Sequence, residues 1–155
     1  MGCSSGVDAG CAPARCGLQL RPDFKQRETL IQPFYHRVTD GIRVTVKPEY
    51  AAEHSDPAVP SYVFIYHIRI ENVGDRTAQL LWRHWYIHDA LGGDSEVEGE
   101  GVVGEKPVLA PGDVHEYESY CILRGPRGHM EGYYEFRRTD GSELQVPIPR
   151  FDLIA

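Results

Sequence analysis

The run Tyr62-Val63-Phe64-Ile65-Tyr66-His67-Ile68-Arg69-Ile70-Glu71 decides the fold. Tyr62, Phe64, Tyr66, Ile68 and Ile70 form one apolar face, while Val63, Ile65, His67, Arg69 and Glu71 form a face that is part apolar and part charged. A period of two in a stretch rich in β-branched and aromatic side chains predicts a strand with one face in the core. The turn residues Asn72-Val73-Gly74-Asp75 follow, and the chain resumes as a strand from Gln79 to Asp89. There Leu81, Arg83, Trp85 and Ile87 share one side, and Leu80, Trp82, His84, Tyr86 and His88 share the other. Trp85 is the expected core tryptophan.

Outward from this pair the same period recurs. Upstream, Ile42, Val44 and Val46 alternate with Arg43, Thr45 and Lys47 from Thr39 onward. Lys47 to Pro60, with Pro48, Pro57 and Pro60, reads as a loop or an irregular edge. Downstream, Leu91-Gly92-Gly93-Asp94 is a turn and Ser95 to Glu98 a short strand. Past Pro111-Gly112-Asp113 comes a strand whose inward set is His115, Tyr117, Ser119 and Cys121. After the Arg124-Gly125-Pro126-Arg127-Gly128 loop, Met130, Gly132, Tyr134 and Phe136 alternate with His129, Glu131, Tyr133 and Glu135. Thr139-Asp140-Gly141-Ser142 is a hairpin signal before Leu144, Val146 and Ile148, and Pro147 and Pro149 mark that last segment as an edge strand. The sum is an all-β chain of about seven antiparallel strands with no long helical pattern. An immunoglobulin-like or fibronectin type III-like β-sandwich is the expected architecture.

The 155 residues suit one folded domain, expected over residues 32–155, behind a flexible N-terminal tail over residues 1–31. Sixteen Lys and Arg against 23 Asp and Glu leave a formal charge of -7, which opposes broad nucleic-acid binding, a matter chiefly of phosphate neutralisation. No apolar run approaches the roughly 20 residues that span a bilayer, so neither a channel nor a pump is expected. Met1 to Leu20 lacks the apolar core of a secretory signal, and a cytoplasmic address is the default. Met1-Gly2-Cys3 hints at N-acylation, yet Gly6 stands where that pattern wants Ser or Thr. Cys3, Cys11, Cys16 and Cys121 show none of the paired spacing of a zinc site, and read as three thiols on the tail and one small core residue.

Gly99-Glu100-Gly101-Val102-Val103-Gly104 carries the G-x-G-x-x-G pattern of dinucleotide sites. That pattern works where a helix opens behind it, and Pro107, Pro111 and Gly112 leave no room for one. Two readings remain: a nest of backbone N–H groups for an anion, formed by Gly99, Gly101 and Gly104 with Lys106, or a loop that uses glycine for positive φ. Glu98, Glu100 and Glu105 flank the loop and repel phosphate, which favours the second.

These residues also resemble a known family. Ile70-Glu71-Asn72-Val73-Gly74, Gln79-Leu80-Leu81, Arg83-His84-Trp85, the block from Val97 to Gly112, Met130-Glu131-Gly132 and Val146-Pro147-Ile148-Pro149-Arg150-Phe151 are similar, in order, to the ApaG family. The likeness runs from about residue 37 to 153, and the tail before it distinguishes this chain from short bacterial members. The resemblance implies a fibronectin type III-like sandwich and an association with cobalt and magnesium homeostasis. It also brings the suggestion of pyrophosphate-containing nucleotides as ligands, bound or hydrolysed at the glycine loop.

Other chemistry finds little support in the residues. His84 and His88 lie four apart, which on a helix would seat one metal, but on a strand separates them by roughly 13 Å at about 3.3 Å per residue. No G-x-S-x-G signature occurs, and Cys121 and His115 are too far apart along one strand to pair. The expectation is a non-catalytic binding or protein-interaction module with no metal site and no cofactor. Its partners would be an unidentified protein, met through end loops, sheet edges or the aromatics Tyr62, Trp82 and Tyr133, and possible phosphate-bearing small molecules; an exposed edge strand also makes a homodimer plausible.

Overall fold

The computed structural model describes residues 33–155. The expected tail, residues 1–31, with Cys3, Cys11 and Cys16, lies outside the described residues. The described chain runs β1 (Tyr35–Thr39), β2 (Ile42–Tyr50), β3 (Tyr62–Asn72), β4 (Ala78–Asp89), β5 (Gly93–Glu100), β6 (Val108–Leu109), β7 (Val114–Leu123), β8 (Arg127–Arg138) and β9 (Glu143–Ile154). These nine strands include the seven expected; β1 and the two-residue β6 are additional. Asp40 and Gly41 both have positive φ, the conformation of a tight two-residue hairpin, and this turn pairs β1 with β2. β2 also runs on to Tyr50, into the segment expected to be a loop. Pro48 fits there because the β1 partner ends at Tyr35, opposite Val46, so the missing N–H disrupts no ladder on that side.

One sheet has the order β1-β2-β3-β7, and the other β5-β4-β8-β9 with β6 on β4. All pairings are antiparallel. The core is the inner faces of both sheets: Val44, Val46, Ile68 and Ile70 from one, Leu80, Trp85, Tyr134, Phe136, Val146 and Phe151 from the other. Trp85 sits at its centre, its ring 5.5 Å from that of Tyr66 and edge-on to Phe151 at 6.0 Å and Tyr134 at 6.3 Å. β9, with its two prolines, is an edge strand.

One assignment of faces is corrected. Leu80 was expected beside Trp82 on the outward side, yet it is fully buried with Trp85. A β-bulge between Leu80 and Trp82 inserts a residue and reverses the alternation. The displaced Leu81 carbonyl does not go unpaired, because the N–H of Gly101 donates to it at 2.9 Å. A second bulge opposite Met130–Gly132 brings Phe151 and Leu153 inward after Val146 and Ile148.

The two long sides of the sandwich differ. On one, β1 and β2 pack on β9, and the Asp152 N–H donates to the Tyr35 hydroxyl at 3.3 Å. On the other, β5 and β7 are the end strands of their sheets and do not pair. A sandwich closed on one side and parted on the other has a mouth.

Candidate functional site

Behind that mouth lies a cleft of about 330 Å³ reaching to Tyr66 and Trp85. Its cation is Arg83, on the inward side of β4 between Leu80 and Trp85. The Nη1 of Arg83 donates to the carbonyls of Glu100 at 3.0 Å and Gly101 at 2.9 Å. Gly99 lies opposite Arg83 in the ladder, and a Cβ there would stand 3.1 Å from both terminal guanidinium nitrogens. Glycine at this point lets the guanidinium lie flat against the β5 backbone. Among the described residues no carboxylate forms an ion pair with Arg83.

The rest of the lining is hydroxyl and hydrocarbon. The Tyr117 and Tyr134 hydroxyls hydrogen-bond each other, and Ser119 lies opposite Tyr66 in the ladder. Burial raises the pKa of all three phenols and leaves them neutral, only partly offset for each by the nearby Arg83 charge. Burial, with the Asp89 charge, also pushes the Cys121 thiol up to about 12. The thiolate that nucleophilic chemistry requires is therefore suppressed. Val97 faces inward opposite Trp85 yet remains 46% exposed, which marks the opening between β5 and β7.

The glycine stretch forms the end of this cleft. Gly99 and Glu100 belong to β5, where only a strand ending at Glu98 was expected. Val103 and Gly104, both at positive φ, are the centre of a two-residue hairpin closed by mutual N–H to carbonyl bonds between Val102 and Glu105. Gly101 has φ 60°, and a Cβ there would stand 2.2 Å from the Glu105 carbonyl oxygen. The N–H groups of Gly101, Val102 and Glu105 are thus spent on Leu81, Glu105 and Val102. The Lys106 Nζ pairs with Glu100 at 3.0 Å. Positive φ at Gly101, Val103 and Gly104 and the backbone closure between Val102 and Glu105 account for the shape of the loop.

His84 and His88 lie on the outer face of β4 and face different partners. His84 stands between Glu96 at 3.1 Å and Glu98 at 3.3 Å, with its ring stacked on Tyr133, while His88 pairs with Asp94 and stacks on His129. Among the described residues no three His, Cys, Asp or Glu side chains converge as metal ligands. The expected aromatic anchors Tyr62, Trp82 and Tyr133 are half-buried. β7 leaves Tyr120, 65% exposed, and Ile122, 58% exposed, to solvent. They adjoin Ile65 and Val63, their ladder partners on the outer face of β3. Arg83 was legible as an arginine sharing a strand face with Trp85 and Ile87; the exposure of Tyr120 depends on β7 being an end strand.

Fold and site together define an antiparallel sandwich of the fibronectin type III kind, closed along β1 and β9 and open between β5 and β7. The ApaG domain model matches residues 52–138. A Paramagnetospirillum magneticum relative named Protein ApaG is 50% identical over 119 residues, covering 77% of this chain and 92% of that protein. Another Protein ApaG, from Thiobacillus denitrificans, is 49% identical over 112 residues, 72% of this chain and 88% of the relative. A crystal structure of a Bordetella pertussis protein described under the name ApaA superposes with a TM-score of 0.71 at 42% identity, over 79% of this chain and 95% of that one. The chain belongs to the ApaG family.

Proposed function

We propose that the chain is a cytoplasmic, non-catalytic recognition module that captures an extended polypeptide segment along β7. The observation that carries this reading is the edge itself. β7 runs from Val114 to Leu123, pairs among the described residues only with β3, and presents Tyr120 and Ile122 to solvent. Such an edge offers a row of main-chain donors and acceptors to an added strand, and the neighbouring side chains select its sequence. On the same face Glu116 pairs with Arg69 and Glu118 lies 3.1 Å from His67, so part of the edge's charge is already neutralised by Arg69. The segment that fits has apolar side chains opposite Tyr120 and Ile122.

The association with cobalt and magnesium then runs through the partner and not through an ion held by this chain. Calorimetry with Co²⁺ gives no saturable heat on this reading; a stoichiometric isotherm refutes that part.

The edge is tested by placing a photo-crosslinking residue at position 120 and, in a second variant, at position 131 on the outer face of the other sheet. Adducts to one defined partner segment from position 120, lost on Ile122→Lys, support the module. Adducts from position 131 with none from position 120 refute it. A crosslink to β7 of a second copy, with a doubled mass in sedimentation, would make the partner the chain itself.

A further inference from the structure

We propose that the cleft between β5 and β7 binds a small apolar acid, holding its carboxylate on Arg83 and its hydrocarbon against Trp85, Ile87 and Val97. A guanidinium has five N–H donors, and among the described residues only Nη1 is engaged, by two neutral carbonyls. A charge held at the end of a part-apolar cleft without a counter-ion gives up hydration that an anionic group restores, and a carboxylate fits the guanidinium fork with two hydrogen bonds.

The charge balance selects the class of acid. One guanidinium neutralises one carboxylate, whereas a pyrophosphate brings excess negative charge toward the carbonyls of Glu100 and Gly101. Beyond the hydroxyls of Tyr66, Tyr117 and Ser119, the same space is lined by the apolar side chains of Trp85, Ile87, Val97, Val103 and Met130. The volume of about 330 Å³ lies at the small end of the range for ligand sites, roughly 300–1,000 Å³. Hydrocarbon ending in a single carboxylate satisfies both ends of the cleft. The built character of the site shows in Gly99, where any side chain would crowd the guanidinium. It shows again in Val97, an inward-facing apolar side chain left 46% exposed.

The test uses the full chain and octanoate, followed by calorimetry and by the Trp85 indole N–H signal in ¹⁵N spectra. Octanol and octylamine serve as charge controls, and inorganic pyrophosphate as the competing anion. Octanoate is expected to saturate one site and to shift the Trp85 signal, with octanol at least about tenfold weaker. Arg83→Gln is expected to raise the octanoate Kd by about 10- to 100-fold, the worth of a charge-assisted hydrogen bond. Because Arg83 also ties down Glu100 and Gly101, Val97→Phe provides an independent arm, since it fills the mouth and leaves Arg83 intact; octanoate binding is expected to be lost at unchanged melting temperature. A peptide acid ending in leucine, compared with its amide, tells a chain terminus from a free acid: the site takes whichever carboxylate binds tighter. Equal binding of octanol and octanoate, unchanged affinity in a folded Arg83→Gln or in Val97→Phe, no saturation, or preference for pyrophosphate each overturns the proposal.

Discussion

Replacing Asp89 tests how the mouth of the sandwich is held. Asp89 ends β4 and is 7% exposed. Its Oδ1 accepts the N–H of Leu91 at 3.0 Å and of Gly125 at 3.0 Å, and its Oδ2 accepts the N–H of Arg124 at 2.6 Å. One carboxylate thus ties the β4–β5 turn to the β7–β8 connection, bridging the strands that frame the cleft. Asp89→Ala orphans three backbone donors, each costing about 1–3 kcal/mol where water does not replace the lost acceptor. Both turns reach the surface, so water recovers part of this, and the expected loss is about 3 kcal/mol, or about 10 °C in Tm for a domain of this size. Asp89→Asn keeps the shape but turns an amide N–H₂ toward one set of donors, and is expected to cost about 2 kcal/mol.

The pH dependence follows from the same contacts. Burial opposes the charge of Asp89, but the hydrogen bonds from the N–H groups of Arg124, Leu91 and Gly125 outweigh it, and the carboxyl sits below its ordinary range. A carboxyl lowered in the folded state contributes stability that is present above its unfolded pKa of about 3.9 and is lost as pH falls through the folded value. Urea unfolding of wild type and Asp89→Asn is therefore expected to show a constant gap from pH 5 to pH 7 that narrows below about pH 4. A gap under about 0.5 kcal/mol at pH 7, or one that ignores pH, would mean that the Asp89 carboxylate does not hold these turns together.

Three further outcomes are expected. Gly101→Val meets the Glu105 carbonyl and a positive φ, whereas Gly104→Ala meets positive φ alone with no atom near its Cβ; chemical denaturation is expected to show a loss of about 1 kcal/mol for Gly104→Ala and well over 2 kcal/mol for Gly101→Val, and equal losses would contradict the hairpin geometry. With the Cys121 thiol pushed up to about 12, alkylation at pH 8 followed by site-resolved mass spectrometry should be more than about 100-fold slower at Cys121 in the folded chain than in urea. The same raised value predicts stability that declines as pH rises above the unfolded thiol value of about 8.5, a decline that Cys121→Ala should abolish. Gly132→Ala would put a Cβ 2.0 Å from the His84 carbonyl oxygen between two paired strands; it is expected to prevent folding, and a soluble variant with native circular dichroism would disprove that account.

The alternation of apolar and polar residues carried most of the architecture by itself. It placed Tyr66, Ile68 and Ile70 on one inner face, Trp85 at the centre of the other, and Tyr117, Ser119 and Cys121 on the inward side of their strand. Pro147 and Pro149 marked an edge, because a ring without an N–H cannot serve a central ladder. Such features are local: a period of two and a missing donor need no knowledge of the partner strand. Leu80 could not be placed that way, since its face depends on a bulge at Leu81 whose carbonyl is satisfied by Gly101, twenty residues on. The glycine stretch left two readings open in one dimension, an anion nest or, better favoured, a loop shaped by positive φ; the folded chain adds that the N–H groups of Gly101, Val102 and Glu105 are bonded to Leu81, Glu105 and Val102. The unpaired flank of β7, and the cleft with Arg83 at its end, arise because β1 meets β9 while β5 never meets β7. That contact between distant strands is decided by how two twisted sheets pack, and no local pattern encodes it.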